Sequence, residues 1–186
     1  MTPVLVDANV ILDVATRDPV WSPWSDAALE RAADEAVLVI NPIIYAEVSI
    51  GFDAIEALEA ALPADLYRRD GLPYEAAFLC GKVYLAYRRG GGTRRSPLPD
   101  FYIGAHAAVA GYRLLTRDAA RYRTYFPTLE FIAPERAESA AEAGIAKHVP
   151  SGQGDRTFGL AGSSNGPGDS IADISEEEQL RGMGQR

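Results

Sequence analysis

The segment PVLVDANVILD, residues 3–13, places an acidic residue between two structural patterns. The apolar run Val4–Val6 is typical of a strand buried on both faces, as in a parallel sheet. The apolar spacing after Asp7 predicts a helix, with Asn9 as its N-cap. Asp7 therefore lies at the carboxyl end of a strand, where open α/β sheets bind ligands. A carboxylate buried there needs a partner, which is either a turn hydrogen bond or a cation.

Strand and helix patterns alternate along the rest of the chain. Short apolar runs predict further strands at Val37–Ile40, Tyr112–Thr116 and Leu129–Ile132, with Leu66–Arg69 as either a strand or a loop. Helical patterns follow at about 23–35, 42–52, 53–62, 73–89 and 100–110, with a short helix before Pro127. Asn41 and Pro42 predict the cap and first residue of the helix at 42–52, and Gly111 predicts the end of the helix at 100–110. This order predicts a three-layer α/β/α fold around a small, mostly parallel sheet.

The amino-acid composition is ordinary for a globular protein, with 47% apolar and 24% charged residues. No apolar run approaches the ~20 residues that cross a bilayer. The N-terminus lacks a signal-peptide pattern, so we expect a cytoplasmic protein with no membrane contact. Cys80 is the only cysteine, which excludes an internal disulfide and a cysteine-based zinc site.

The composition changes near Ala137, which predicts a domain at 1–136 and a low-complexity tail at 137–186. The domain carries 14 Lys or Arg against 18 Asp or Glu, and the tail carries 4 against 8. Gly, Ser and acidic residues dominate the tail, so we predict disorder there. The tail is either a functionless extension or a binding segment.

Acidic residues occupy unusual positions at Asp7, Glu47, Asp100 and Asp118. Asp7 and Asp118 follow strands, Asp100 starts a helix after a basic loop, and Glu47 lies in an otherwise apolar helix. Topology can bring these side chains to one edge of the sheet. Clustered carboxylates repel one another unless a divalent cation lies among them, and Mg²⁺ or Mn²⁺ prefers such oxygen ligands.

Simpler interpretations exist for single residues. Asp100 and Asp118 are each suited to capping a helix, and Asp13 is either solvated or behind the site. Thr116 is either a strand residue or a support for a water near the metal. We expect His106 in the core or on the surface and Cys80 in core packing, so a metal-activated water is the available nucleophile.

The motifs VDANVILD, IIYAEV, PLPDFYIGAHA and LLTRDAARYRTYFP together resemble the four acidic motifs of PIN-domain ribonucleases. In order and context they are most similar to the VapC toxins of type II toxin–antitoxin pairs. The resemblance covers residues 3 to about 134, and the chain departs from the family pattern after Pro134.

The resemblance implies a Mg²⁺ or Mn²⁺ site and hydrolysis of RNA phosphodiester bonds by a metal-activated water. The implied metal ligands and catalytic residues are Asp7, Glu47, Asp100 and Asp118, supported by Asn9 and Thr116. The implied partners are an RNA substrate, a VapB-like antitoxin and a second copy in a homodimer. Candidate RNA-binding residues are Arg94, Arg95, Arg117 and Arg121. The acidic tail could compete with RNA.

Three alternatives stay open at this point: a PIN-domain RNA-processing nuclease that is not a toxin, a metal-dependent phosphatase, and a non-catalytic binding module. Aspartyl-phosphate chemistry usually uses a lysine near paired acids, and Lys82 is the only lysine of the domain. The presence of all four acids argues against a binding module.

Overall fold

The computed structural model describes residues 1–134, and the predicted tail lies outside the described residues. The strands are β1 (Val4–Val6), β2 (Leu38–Ile40), β3 (Tyr67–Arg69), β4 (Arg113–Leu115) and β5 (Phe131–Ile132). The helices are α1 (Ala8–Ala15), α2 (Ser22–Glu35), α3 (Pro42–Ser49), α4 (Ile55–Ala61), α5 (Tyr74–Arg89), α6 (Pro99–Ala110) and α7 (Ala119–Arg123). The alternating pattern read from the sequence is therefore confirmed, including a strand in the ambiguous segment Leu66–Arg69.

All five strands are parallel and lie in the order β3-β2-β1-β4-β5. From β1 the chain adds β2 and then β3 on one side. It then crosses to the other side of β1, where β4 pairs with β1 and β5 pairs with β4. Because such crossovers are right-handed, α1–α4 cover one face and α5–α7 cover the other. The strand order reverses between β1 and β4, so the carboxyl ends of these two strands form the crevice where ligands bind in open α/β sheets.

The central strands are fully buried, as their continuous apolar runs predict. β1, β2 and most of β4 contact helices on both faces, and the core extends through α3 and α6. Gly104 allows the Phe126 ring to pack directly against the backbone of α6, because a Cβ at this position would lie 2.3 Å from Cε2 of Phe126. The core thus anchors the helices that carry the acidic residues.

Local signals at helix ends are confirmed in two places and wrong in a third. Oδ1 of Asn41 accepts hydrogen bonds from the backbone amides at the start of α3. Gly111 ends α6 in the left-handed conformation, with φ of 67°. The predicted N-cap role of Asn9 is wrong, because α1 already begins at Ala8 with Asp7 at the N-cap position. The Asn9 side chain instead donates hydrogen bonds to Asp7 and Thr116.

None of the helices in residues 1–134 combines the length and the apolar character that a bilayer crossing requires.

Candidate active site

The carboxylate of Asp7 lies between the ends of β1 and β4 and is held by neutral donors. Its Oδ2 atom accepts hydrogen bonds from Asn9 Nδ2 at 2.9 Å, Thr116 Oγ1 at 2.7 Å and Tyr122 Oη at 3.0 Å. Asn9 also donates to Thr116, and the Asp118 amide donates to the same threonine hydroxyl. These contacts fix the orientation of the carboxylate without neutralising its charge.

The side-chain hydrogen bonds to Asp7 leave its second carboxylate oxygen, Oδ1, available to another ligand. All three side-chain donors use Oδ2, and within residues 1–134 no side-chain donor is bonded to Oδ1. Burial raises the pKa of Asp7, although the hydrogen bonds from Thr116 and Tyr122 act in the opposite direction. A carboxylate that is 4% exposed and has no cationic partner among residues 1–134 is costly to keep ionised, and a bound cation would relieve that cost.

Glu47 lies on α3 and faces the same cleft as Asp7. Burial, followed by the negative charges of Asp7 and Asp100, raises the pKa of Glu47 to about 7. The three acids are therefore close enough for their charges to interact. This mutual repulsion is typical of carboxylates that share a cation.

Asp100 and Asp118 are joined by an arginine. Arg121 Nη1 donates to Asp100 Oδ2 at 2.6 Å, and its Nε lies 3.5 Å from Asp118 Oδ2. Asp100 is the second residue of α6, behind the N-cap position of Leu98, so the capping interpretation of Asp100 is wrong. Asp118 occupies the N-cap position of α7, but its side chain makes no capping hydrogen bond.

A cleft of about 550 Å³ is lined by all four predicted acids. Its walls also contain Asn9, Arg117 and Arg121, and the apolar side chains Leu12 and Ile50. The oxygen donors suit Mg²⁺ or Mn²⁺ chemically. However, no three acidic, histidine or cysteine side chains in residues 1–134 are close enough to hold an ion as they stand. Two of the four acids, Asp100 and Asp118, lie instead within ion-pair distance of the Arg121 guanidinium.

We expect Arg121→Gln to tighten divalent-ion binding several-fold, because Arg121 competes with the ion for Asp100 and Asp118. Mn²⁺ affinity, measured by electron paramagnetic resonance, checks this expectation. The matched control is Arg123→Gln, because Arg123 lies on the same helix and packs over the Phe131 ring rather than on the acids. Equal Mn²⁺ affinities for the two variants would contradict the competition.

Arg117, from the wall of the cleft, forms a second charged pair with the buried Asp13. Asp13 is 3% exposed, so the solvated interpretation of this residue is wrong. Arg117 Nη1 donates to Asp13 Oδ1 at 2.5 Å, and Ser25 Oγ donates to Oδ2 at 2.9 Å. The Arg117 guanidinium also lies 5.5 Å from the centre of the Trp21 ring. Arg117 therefore has a structural role, and RNA binding by it stays a prediction.

Hydrogen bonds hold the loop that carries Arg94 and Arg95 against α5. The Tyr87 hydroxyl accepts hydrogen bonds from the amides of Thr93 and Arg94, at 3.1 and 3.3 Å. Arg88 Nη1 donates to the Arg94 carbonyl at 2.9 Å. The side chains of Arg94 and Arg95 are exposed, a few residues before Asp100. RNA binding by Arg94 and Arg95 stays a prediction.

His106 and Cys80 are both buried, as predicted for core residues. His106 Nδ1 pairs with Asn41 Nδ2 at 3.1 Å, and burial lowers the pKa of His106. The neutral imidazole therefore supports the cap of α3. Neither side chain lines the acidic cleft.

Tyr122 is the residue that the sequence analysis missed. It is buried and donates to Asp7 from α7. Burial, with the nearby charge of Asp7, raises the pKa of Tyr122 well above its ordinary value, so the hydroxyl stays a donor. One feature of the sequence could have indicated this contact. Tyr122 lies four residues after Asp118, on the short helix α7 that follows the end of β4.

The chain thus combines a three-layer fold with four carboxylates that line a cleft at the switch point of its sheet. The family model of the PIN domain matches residues 4–127, and the chain belongs to the PIN-domain family. PIN domains are nucleases, which places the chain among hydrolases that act on nucleic acids. A comparison with curated proteins gave no match.

Solved structures with the same fold include three two-component complexes. VapBC2 from Rickettsia felis, bound to a DNA fragment from its promoter, has 17% identity and a TM-score of 0.56, and the match covers 70% of this chain and 98% of that chain. DNA-bound VapBC from Salmonella typhimurium has 18% identity and a TM-score of 0.54, covering 72% and 98%. FitAcB from Neisseria gonorrhoeae has 18% identity and a TM-score of 0.52, covering 69% and 96%. At these identities the similarity concerns the fold.

Proposed function

We propose that the chain is a Mg²⁺- or Mn²⁺-dependent endoribonuclease and the toxin of a VapBC-type pair. The observation that carries the proposal is the convergence of Asp7, Glu47, Asp100 and Asp118 on one cleft. Asp7 is buried there, and within residues 1–134 it has no cationic partner, at the reversal of the strand order. PIN-family membership supports nuclease chemistry at this cleft.

In this proposal Asp7 and Asp100 are the main metal ligands, and Glu47 and Asp118 complete the set directly or through water. When bound, the ion supplies an activated water as nucleophile and offsets negative charge at the reacting phosphate. Asn9, Thr116 and Tyr122 bond to Asp7 Oδ2, and the other oxygen of Asp7 serves the ion in this proposal.

The substrate side of the proposal rests on charge. Arg94 and Arg95 are exposed and precede Asp100 in the chain, which suits phosphate binding, while Arg117 and Arg121 line the cleft itself. Single-stranded or loop RNA fits the proposal best, because its backbone and bases are accessible to a shallow site.

The toxin assignment is supported by the VapBC complexes among the structural neighbours. With this assignment, the proposed partners are a VapB-like antitoxin and a second copy of the chain in a homodimer. The proposed location is the cytoplasm. The surface of α5 supports a protein partner, because Tyr74, Phe78 and Leu85 are 91%, 67% and 44% exposed. A small reading frame for a DNA-binding antitoxin next to this gene would distinguish a toxin from an RNA-processing PIN nuclease.

We expect the full chain to cut single-stranded RNA internally with Mg²⁺ or Mn²⁺, to lose this activity in EDTA, and to regain it when the ion is restored. Gel analysis of a labelled RNA, with p-nitrophenyl phosphate assayed in parallel, checks this. Phosphate release without RNA cleavage would indicate a phosphatase. RNA binding without cleavage in either ion would indicate a binding module, and both results contradict the proposal.

A further inference from the structure

A groove beside the outer strands β4 and β5 shares no lining residue with the acidic cleft. The groove lies between α2 and these two strands and has a volume of about 410 Å³. Its wall contains the aromatic residues Trp24 and Phe131 and the charged residues Arg31, Glu35 and Arg113. Two arginines against one glutamate give the wall a formal charge of +1, which favours a monovalent anion.

Arg113 brings a buried hydrogen-bond donor to this groove. It is the first residue of β4, and its Nε is the one buried side-chain nitrogen or oxygen of residues 1–134 that has no hydrogen-bond partner. Its Nη2 lies 4.0 Å from Glu35 Oε2, which is beyond hydrogen-bond distance. Because Glu35 is exposed, solvent screens this pair. A buried donor on a charged group is unfavourable until an acceptor binds to it.

Nε and Nη2 form the edge of a guanidinium that binds a carboxylate through two parallel hydrogen bonds. Arg68 uses this edge on Asp70, with Nε 3.0 Å from Oδ1 and Nη2 2.9 Å from Oδ2. Arg113 makes no such contact in the part of the chain that the structure describes, although its side chain is the less exposed of the two. The Arg68 pair therefore shows which kind of acceptor suits Arg113.

We propose that this groove binds a monovalent organic carboxylate, which Arg113 holds through Nε and Nη2. Trp24 and Phe131 suit contact with the apolar body that carries the carboxylate. A phosphate monoester matches less well, because it carries about 1.5 to 2 negative charges at neutral pH against one net positive charge on the wall.

The same carboxylate chemistry occurs in small acids and in the acidic side chains of extended peptides. A peptide has one additional interaction available, because β5 is at the edge of the sheet and pairs only with β4 among residues 1–134. Its backbone could pair with the outer side of β5 while its carboxylate binds Arg113. The two sources therefore differ in whether backbone pairing adds to the affinity.

Binding is tested on the full chain by NMR with two probes, sodium benzoate and the tripeptide acetyl-Val-Glu-Val-amide. We expect saturable shifts of the Arg113 Nε–H resonance and of the amides of residues 131–133, with dissociation constants of about 1–10 mM. Tighter binding of benzoate supports a small acid as the ligand, and tighter binding of the tripeptide supports a protein segment. The absence of a saturable shift with both probes overturns the proposal, as does tighter binding of inorganic phosphate.

The role of Arg113 is tested with Arg113→Lys, which keeps the positive charge and removes the paired donors. Benzoate affinity should fall at least about tenfold. The matched control is Arg68→Lys, because the same edge of Arg68 already binds Asp70, and its benzoate affinity should equal that of wild type. Circular dichroism establishes that both variants are folded. Unchanged affinity in Arg113→Lys, or an equal loss in the two variants, overturns the assignment.

Glu35→Gln is expected to increase the affinity, which damage to the fold would not do. The substitution removes the negative charge 4.0 Å from Nη2, so benzoate should bind about 2–5-fold more tightly in low salt. The matched control is Asp34→Asn, because Asp34 is an exposed acid of the same helix that does not line the groove. An equal gain in both variants, or no gain in Glu35→Gln, contradicts binding at Arg113. These measurements use no nucleic acid, so their outcome is independent of the proposed nuclease function.

Discussion

Asp7→Asn is expected to lower metal-dependent RNA cleavage by at least about 10³-fold. The amide keeps the oxygen that accepts from Thr116, Tyr122 and Asn9, but it removes the charge that a divalent ion needs. Metal ions contribute several kcal/mol to such reactions, and each 1.4 kcal/mol corresponds to about tenfold in rate. Initial rates on a single-stranded RNA, with Mg²⁺ or Mn²⁺ in excess, check this.

The stability of the same variant separates loss of chemistry from loss of fold. Burial raises the pKa of Asp7, so the stabilisation given by its protonated form is lost as the pH rises through that pKa. Asparagine is neutral at every pH, and the metal-free variant should therefore melt no lower than wild type at pH 7. Full cleavage activity in a folded Asp7→Asn protein would remove Asp7 from the site.

Arg117→Ala is expected to lower the free energy of unfolding by about 2–4 kcal/mol, because it leaves the Asp13 carboxylate buried without its ion-pair partner. The range lies below that of a fully buried pair because the Arg117 side chain is 32% exposed. Urea denaturation followed by circular dichroism measures the change.

The double variant Arg117→Ala/Asp13→Asn identifies the cause. Asparagine carries no charge and still reaches Ser25, so the double variant should recover stability relative to Arg117→Ala alone. If Arg117 served only RNA, its single substitution would leave the free energy of unfolding within about 0.5 kcal/mol of wild type and weaken RNA binding.

The local sequence was sufficient for features that depend on a few neighbouring residues. The apolar run of Val4–Val6 predicted a buried strand, Asn41 and Pro42 predicted the start of α3, and Gly111 predicted the end of α6. Because the strands are parallel, these signals also placed Asp7 and Thr116 at one edge of the sheet. The convergence of the acids was in this sense a consequence of topology.

Partners that are distant in sequence could not be predicted in the same way. Asn9 was interpreted as a helix cap because capping is local, whereas its actual partner Thr116 lies 107 residues away. Tyr122 and the Arg117–Asp13 pair were missed for the same reason, since both depend on how helices pack across the ends of β1 and β4. Burial of a charge, as at Asp13, is a property of packing and has no local pattern.

The central claim is that the four carboxylates of the cleft together hold a divalent cation. Mn²⁺ binding to the full chain, measured by electron paramagnetic resonance on wild type and on Asp7→Asn, tests it most directly. We predict saturable binding to wild type that weakens by at least about tenfold in the variant, as expected from the loss of a charged ligand. Equal Mn²⁺ affinity for the two proteins, or no binding to wild type, would contradict the claim.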